Sequence, residues 1–298
     1  MATTAPSPKS VLQQIGGLLG TLPIPDGVGG RFSAASPVGL FPLAMTATGD
    51  PEARIDTALR GFGRGHEQCF DRKPTDKLNV AFRLARWLHL AEHYGGKSNL
   101  VFYNYSNDRL LGDWVAQLWM ESLQERGQGM NVIATRGPTG NHSILNGIVR
   151  GPSDKAIVFA TWGTLRPQVL LPTNTGLSGD LKSMEGLALG HIQQLSFEST
   201  AADLTRNGVP NVTLQIGKRD EEALFQLLRI LMDTVAVKGR LQQLHGTAGG
   251  ELDYEHELTY QQDGVEGYKE LMRHRMGEMS PEPGATPLRR RVSANSGG

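Results

Sequence analysis

Two predicted helices each carry a charged residue where the hydrophobic pattern predicts an apolar one. The first helix is expected from Asn107 or Asp108, a suitable N-cap, to about residue 126. Glu121 falls inside its apolar stripe, among Leu110, Leu111, Trp114, Val115 and Leu118. A carboxylate facing a packed sheet is costly unless it is paired or used, and one in this position could act as a general base. The alternative is that the helix ends early and Glu121 reaches solvent.

The second such residue is Lys269, in a helix predicted over residues 263–276. It falls among the apolar residues Val265, Met272 and Met276 of that helix. A lysine there either lays its stem over apolar surface with the ammonium in water, or points the ammonium into a cleft.

Two further residues of chemical interest lie beside glycines. His142 follows Asn141, the expected N-cap of a helix, and the positive end of a helix dipole would favour a neutral imidazole that relays protons. Arg31 follows Gly29 and Gly30, which would let a ligand approach the backbone closely. An arginine beside such a turn suits an anionic substrate or a developing enediolate. The alternatives are a structural histidine and a solvated surface arginine.

The elements that would position these residues follow a strand–helix–strand rhythm. Three apolar, β-prone runs over residues 100–105, 130–135 and 155–161 alternate with helical stretches, which is typical of a parallel sheet with helices on both faces. Residues 211–216 alternate as a further strand. Other helices are expected over residues 51–61, 77–93, 184–207 and 221–241, with a loop over 164–183.

The composition of the 298 residues excludes several classes of protein. Lys plus Arg and Asp plus Glu each total 30, so nothing indicates a nucleic-acid or membrane surface. The single cysteine excludes an internal disulfide and fits a reducing compartment. No Cys/His metal spacing, Walker loop or GxSxG elbow occurs, and no apolar run approaches the roughly 18 residues of a membrane span. We therefore expect a cytoplasmic protein.

Four segments resemble, in order, motifs of the glucose-6-phosphate isomerase family. DGVGGRFSAASPVG, from Asp26, looks like its first signature, and NYSNDRLLGDWVAQLWMES looks like the segment with its catalytic glutamate. GPTGNHS resembles the loop of its catalytic histidine, although the family usually has Gln where this chain has Asn141. YQQDGVEGYK, from Tyr260, resembles its second signature, from which Gln261 departs at an Asp/Asn position. The resemblance covers roughly residues 23–276.

The resemblance implies a role for each matched residue. Glu121 would move the proton between C1 and C2 of the sugar, and Arg31 would stabilise the cis-enediolate. His142 and Lys269 would assist ring opening, while Gln262 and the backbone at Gly30 would contact the substrate. It implies no cofactor and no metal. The family's active site lies at a dimer interface, with the histidine coming from the neighbouring subunit.

The resemblance also implies an α/β fold, an SIS-type three-layer αβα sandwich with a parallel sheet, preceded by the remnant of a first SIS domain. We expect a leader (1–22, disordered in part), the tail of the first SIS domain (23–95), the C-terminal SIS domain (96–276) and a disordered tail (277–298). In the family, about half the chain precedes the first signature and contains the SKSGTT-like loop that grips phosphate; we expect no such loop here.

Three hypotheses for function follow from the resemblance. The first is an aldose–ketose isomerase that interconverts glucose 6-phosphate and fructose 6-phosphate, as a homodimer or with a partner supplying the missing N-terminal half. The second is a non-catalytic sugar-phosphate-binding or interaction module. The third, a likeness of fold alone, is disfavoured because signature residues match.

Overall fold

A four-stranded parallel sheet lies at the centre of the structure. The computed structural model describes residues 2–4, 17–105, 108, 110–124, 127–163, 169–246, 258–260, 264 and 266–278. The strands are β3 (Asn99–Asn104), β4 (Asn131–Arg136), β5 (Lys155–Trp162) and β6 (Asn211–Ile216), in the order β4-β3-β5-β6. A separate parallel pair joins β1 (Ala2–Thr4) to β2 (Thr21–Pro23).

One face of the sheet is covered by three helices, α3 (Val80–His93), α4 (Leu111–Leu123) and α8 (Glu221–Gly246). Side chains of these helices form one core with alternate residues of the strands, such as Leu100 and Phe102 of β3. Asn79 begins α3 by accepting a hydrogen bond from the backbone N–H of Phe82 at 3.0 Å. This layer carries Glu121.

The opposite face is covered by α5 (Thr139–Ser143), α6 (Leu145–Arg150) and α7 (Leu189–Arg206). Val101 and Tyr103, the intervening residues of β3, pack here with Phe159, Phe197 and Leu204. Successive side chains of a strand point to opposite faces, so the two cores are separated by the sheet. The result is the predicted three-layer αβα sandwich.

Two helices that follow the first signature complete the first layer. They are α1 (Pro37–Met45) and α2 (Pro51–Glu67), and α2 packs along α8. Ser36 and Asp50 cap their N-termini, and each is followed by a proline at the first helical position. Arg54 of α2 binds the carboxylate of Glu221 at 2.7 Å, which ties the start of α2 to the start of α8.

The predicted strands are confirmed to within one residue at each end, whereas several helix boundaries were wrong. The helix of Glu121 begins at Leu111 and ends at Leu123, and Asp108 does not cap it, because its carboxylate accepts hydrogen bonds from the Trp162 indole and from Arg219. The helix predicted from residue 184 begins at Leu189; a 3₁₀ helix, Gly179–Met184, precedes it within the predicted loop.

A second compact unit begins at residue 261. Its described part is chiefly α9 (Glu266–Glu278), close to the predicted 263–276. Of the expected apolar stripe, Met272 and Met276 are about half exposed, and Val265 lies outside the described residues. Most of the predicted tail, residues 279–298, lies outside the described residues.

Candidate active site

Arg31 is buried and held by the elements around it. It lies in a 3₁₀ turn, Gly30–Phe32, and is 2% exposed, which excludes the alternative of a solvated surface arginine. Its Nε donates to the hydroxyl of Ser122 at 2.7 Å, and its Nη2 donates to the carbonyl of Thr259 at 3.1 Å. A guanidinium has five N–H donors in a fixed fork, and these contacts therefore fix its orientation.

The carboxylate of Glu121 is the ionic partner of this guanidinium. Nη1 of Arg31 lies 3.3 Å from Oε2 of Glu121. Burial lowers the pKa of Arg31, and the neighbouring carboxylate opposes that shift. Glu121 keeps 26% of its side chain exposed, and its other oxygen is 3.4 Å from Nε2 of Gln117. The carboxylate is thus paired on one side and open to solvent on the other. Both alternatives given by the sequence, a paired carboxylate and one that reaches solvent, therefore hold in part.

A short 3₁₀ turn, Leu258–Tyr260, completes the cradle of Arg31. The ring of Tyr260 lies edge-on against Phe32, with 5.4 Å between the ring centroids. Gly239 of α8 leaves room for Thr259, because a Cβ at residue 239 would overlap the Thr259 side chain. Sequence reasoning missed Ser122 and Thr259, although both adjoin or lie within the matched motifs.

His142 lies in another part of the molecule. It is exposed on α5, just beyond the carboxyl end of β4, in the layer opposite α4. Glu121 lies in the last turn of α4, which runs back toward the amino ends of the strands. A six-residue strand spans about 20 Å, so a single copy of the chain does not bring His142 to Glu121.

Asn141 does not cap the helix as predicted. α5 begins at Thr139, two residues earlier, and the Asn141 amide instead contacts three buried hydroxyl groups behind α5. Of the other predicted site residues, Gly30 faces open space, Gln262 lies outside the described residues, and Lys269 lies on α9 in the second unit, half-buried.

Two cavities among the described residues lie apart from Arg31 and Glu121. Cavities of about 520 and 1000 Å³ lie between α3 and β6 and beside α4, respectively, and neither is lined by Arg31 or Glu121. In the described part of the chain, no group of three His, Cys, Asp or Glu side chains is arranged to hold a metal ion. No helix within those residues is long and apolar enough to cross a membrane.

Comparison with known proteins defines the class first by fold. No family model matches the sequence. A hypothetical protein from Thermus thermophilus superimposes with a TM-score of 0.76 at 29% identity, over 92% of this chain and 62% of the other. A glucose-6-phosphate isomerase from Chlamydia trachomatis gives a TM-score of 0.68 at 18% identity, over 98% and 55%. The protein is an α/β sandwich of the SIS type.

Curated relatives give the family. The sequence is 31% identical over 264 residues to the glucose-6-phosphate isomerase of Rubrobacter xylanophilus, covering 86% of this chain and 55% of that protein. The probable glucose-6-phosphate isomerase of Haloarcula marismortui is 31% identical over 223 residues, covering 75% and 49%. The chain belongs to the glucose-6-phosphate isomerase family, and it spans about half the length of the curated relatives it matches.

Proposed function

We propose that this chain carries the proton-transfer half of a glucose-6-phosphate isomerase and interconverts glucose 6-phosphate and fructose 6-phosphate. The observation that carries the proposal is the contact between Arg31 and Glu121, two matched motif residues 90 positions apart in the sequence. The buried arginine is fixed from two other sides, so its charge is oriented before any substrate arrives.

In the proposed reaction, the Glu121 carboxylate removes the proton from C2 of the open-chain aldose and returns it to C1, while the hydroxyl proton of O2 passes to O1. The cis-enediolate formed between these steps carries negative charge on oxygen. The Arg31 guanidinium, which stays protonated near neutral pH, would stabilise that charge. The first step requires the ionised carboxylate and the second the carboxylic acid that the first step forms. Substrate must reach the group in both, and 26% of the Glu121 side chain is exposed.

We further propose that ring opening uses His142 from a second copy of the chain, together with Lys269 and with Gln262 as a substrate contact. His142 is exposed and lies in the layer opposite Glu121, which favours a homodimer in which each copy supplies the histidine of its neighbour's site. The cytoplasmic location expected from the single cysteine is part of the proposal.

A second candidate function is one half of a split isomerase. The chain matches about half of each relative's length. Phosphate binding needs several convergent donors, and a partner polypeptide would supply them in this case. A module that binds sugar phosphate without catalysis is the remaining alternative.

The test is fructose 6-phosphate formation from glucose 6-phosphate by the purified chain in a coupled assay. The variant Glu121→Gln should lose at least about 100-fold in rate, the lower range for a general base. Glu198→Gln is the matched control, because Glu198 is an exposed helical glutamate paired with Gln194 at 2.8 Å. Full activity in Glu121→Gln would refute the base assignment. Activity that appears only after the N-terminal half of a relative is added would favour the split enzyme.

A further inference from the structure

We propose that Asn141 is a positioning residue that holds α5, and with it His142, against the sheet. Its Oδ1 accepts hydrogen bonds from the hydroxyls of Tyr103 and of Tyr105, the latter at 2.9 Å. Its Nδ2 donates to Oγ1 of Thr200 at 3.0 Å. A role for these hydrogen bonds in catalysis rests on the proposed function, whereas the hydrogen bonds themselves do not.

The three hydroxyl partners of Asn141 are buried. Tyr103 is 0%, Tyr105 1% and Thr200 5% exposed. The Thr200 hydroxyl donates its own proton to the carbonyl of Ser196 at 2.7 Å, so it can only accept from Asn141. The tyrosine at 103 stays protonated and able to donate, because burial raises its pKa. The amide therefore has one orientation, with its oxygen toward the tyrosines and its nitrogen toward α7.

The helix that carries His142 depends on these contacts. α5 has five residues, too few for a helix to be stable by its own hydrogen bonds. The Asn141 side chain joins α5 to Tyr103 of β3 and to Thr200 of α7, and Asn141 directly precedes His142. Gly140 allows the close approach, because a Cβ there would overlap Thr135 and contact the Tyr103 ring. The direction of His142 is thus set by the amide beside it.

The side-chain length at residue 141 fits this pocket. The oxygen already touches two tyrosine hydroxyls and the nitrogen a threonine, so one additional methylene would drive the amide into groups that cannot retreat from a packed core. The Asn in place of the more usual Gln of the resembled motif is therefore matched to Tyr103, Tyr105 and Thr200 in this chain.

The experiment compares Asn141→Leu, which keeps the branched shape of the side chain and removes the hydrogen bonds, with Asn146→Leu at an exposed position of α6 as the control. Amide hydrogen exchange over residues 139–144 should accelerate about tenfold or more in Asn141→Leu and stay unchanged in the control. The His142 imidazole, assigned by its loss in His142→Ala, should become mobile by NMR relaxation only in Asn141→Leu. Thr200→Val is a milder second variant, with a smaller change in the same direction.

Measurements of kcat and KM then distinguish a role of Asn141 in positioning His142 from a role in stabilising the fold. In the active protein, Asn141→Leu should lower kcat toward the level of His142→Ala, with KM changed less than about twofold. The limb of the pH–rate profile that is lost in His142→Ala should be lost in Asn141→Leu as well. Unchanged exchange and an unchanged His142 signal in Asn141→Leu would overturn the proposal, as would accelerated exchange with wild-type kcat and pH profile. A wild-type chain without turnover would refute the proposed function alone, because exchange and NMR still decide whether Asn141 holds His142.

Discussion

A cluster of three histidines between α3 and α8 makes the stability of this fold sensitive to mild acid. His89 and His93 of α3 have ring centroids 4.4 Å apart, and His245 of α8 lies 4.1 Å from His93. The buried ammonium of Lys238 and the carboxylate of Glu92, which bind each other, also face the cluster. His89 is 9% exposed, and its buried Nδ1 has no hydrogen-bond partner in the described protein.

Burial lowers the pKa of His89 from 6.5 to about 4, and the nearby Lys238 charge and histidines add to this shift. Below pH 6.5 the unfolded chain takes up a proton at this residue, while the folded chain stays neutral until about pH 4. Stability is therefore fully present above pH 6.5 and falls as the pH drops toward 4. At about 1.4 kcal/mol per pKa unit, the loss is about 2 kcal/mol at pH 5 and about 3 kcal/mol at pH 4.

The assay is urea unfolding of the wild-type chain and of His89→Phe at pH 7.5 and pH 5. The phenylalanine keeps a ring and removes the titrating group. Between pH 7.5 and pH 5, the free energy of unfolding of His89→Phe should therefore fall by about 2 kcal/mol less than that of the wild type. Carboxylates remote from the cluster contribute equally in both proteins and cancel in the difference. The exposed His191, replaced by Phe, is the matched control and should behave as the wild type. Parallel pH dependence in His89→Phe and the wild type would refute the reasoning.

Two further substitutions test buried contacts of α8 by urea unfolding. Lys238→Met leaves the largely buried Glu92 carboxylate without its ammonium partner and should cost about 3 kcal/mol, most of it recovered in the double variant with Glu92→Gln; equal losses in both would contradict the pairing. Gly239→Ala should cost about 1–3 kcal/mol, because its methyl group overlaps Thr259; an unchanged midpoint would show that the 258–260 turn is not held there.

The sheet and one of the two charged anomalies were predictable from local sequence. Buried parallel strands are nearly continuous apolar runs, and the central strands 99–104 and 155–162 are of this kind. The edge strand 211–216 was visible instead by its alternation. Glu121 is visible because a stripe of period 3.6 surrounds it. The buried state of Arg31 has no such signal: its partners lie 91 and 228 positions away, and a residue in a glycine-rich turn has no periodicity to interrupt.

The separation of His142 from Glu121 depends on strand order, which local patterns do not contain. The connection from β3 to β4 through α4 runs toward one edge of the sheet, and the connection from β4 back past β3 to β5 runs toward the other. Parallel crossovers are almost always right-handed, so connections that run in opposite directions place their helices on opposite faces. α4 with Glu121 and α5 with His142 must then lie on opposite sides. With β5 placed next to β4, both helices would share one face, and only the length of the strands would separate the two residues. The order β4-β3-β5-β6 therefore adds opposite faces to the separation along the strands, and both are reasons for proposing a histidine from a second copy.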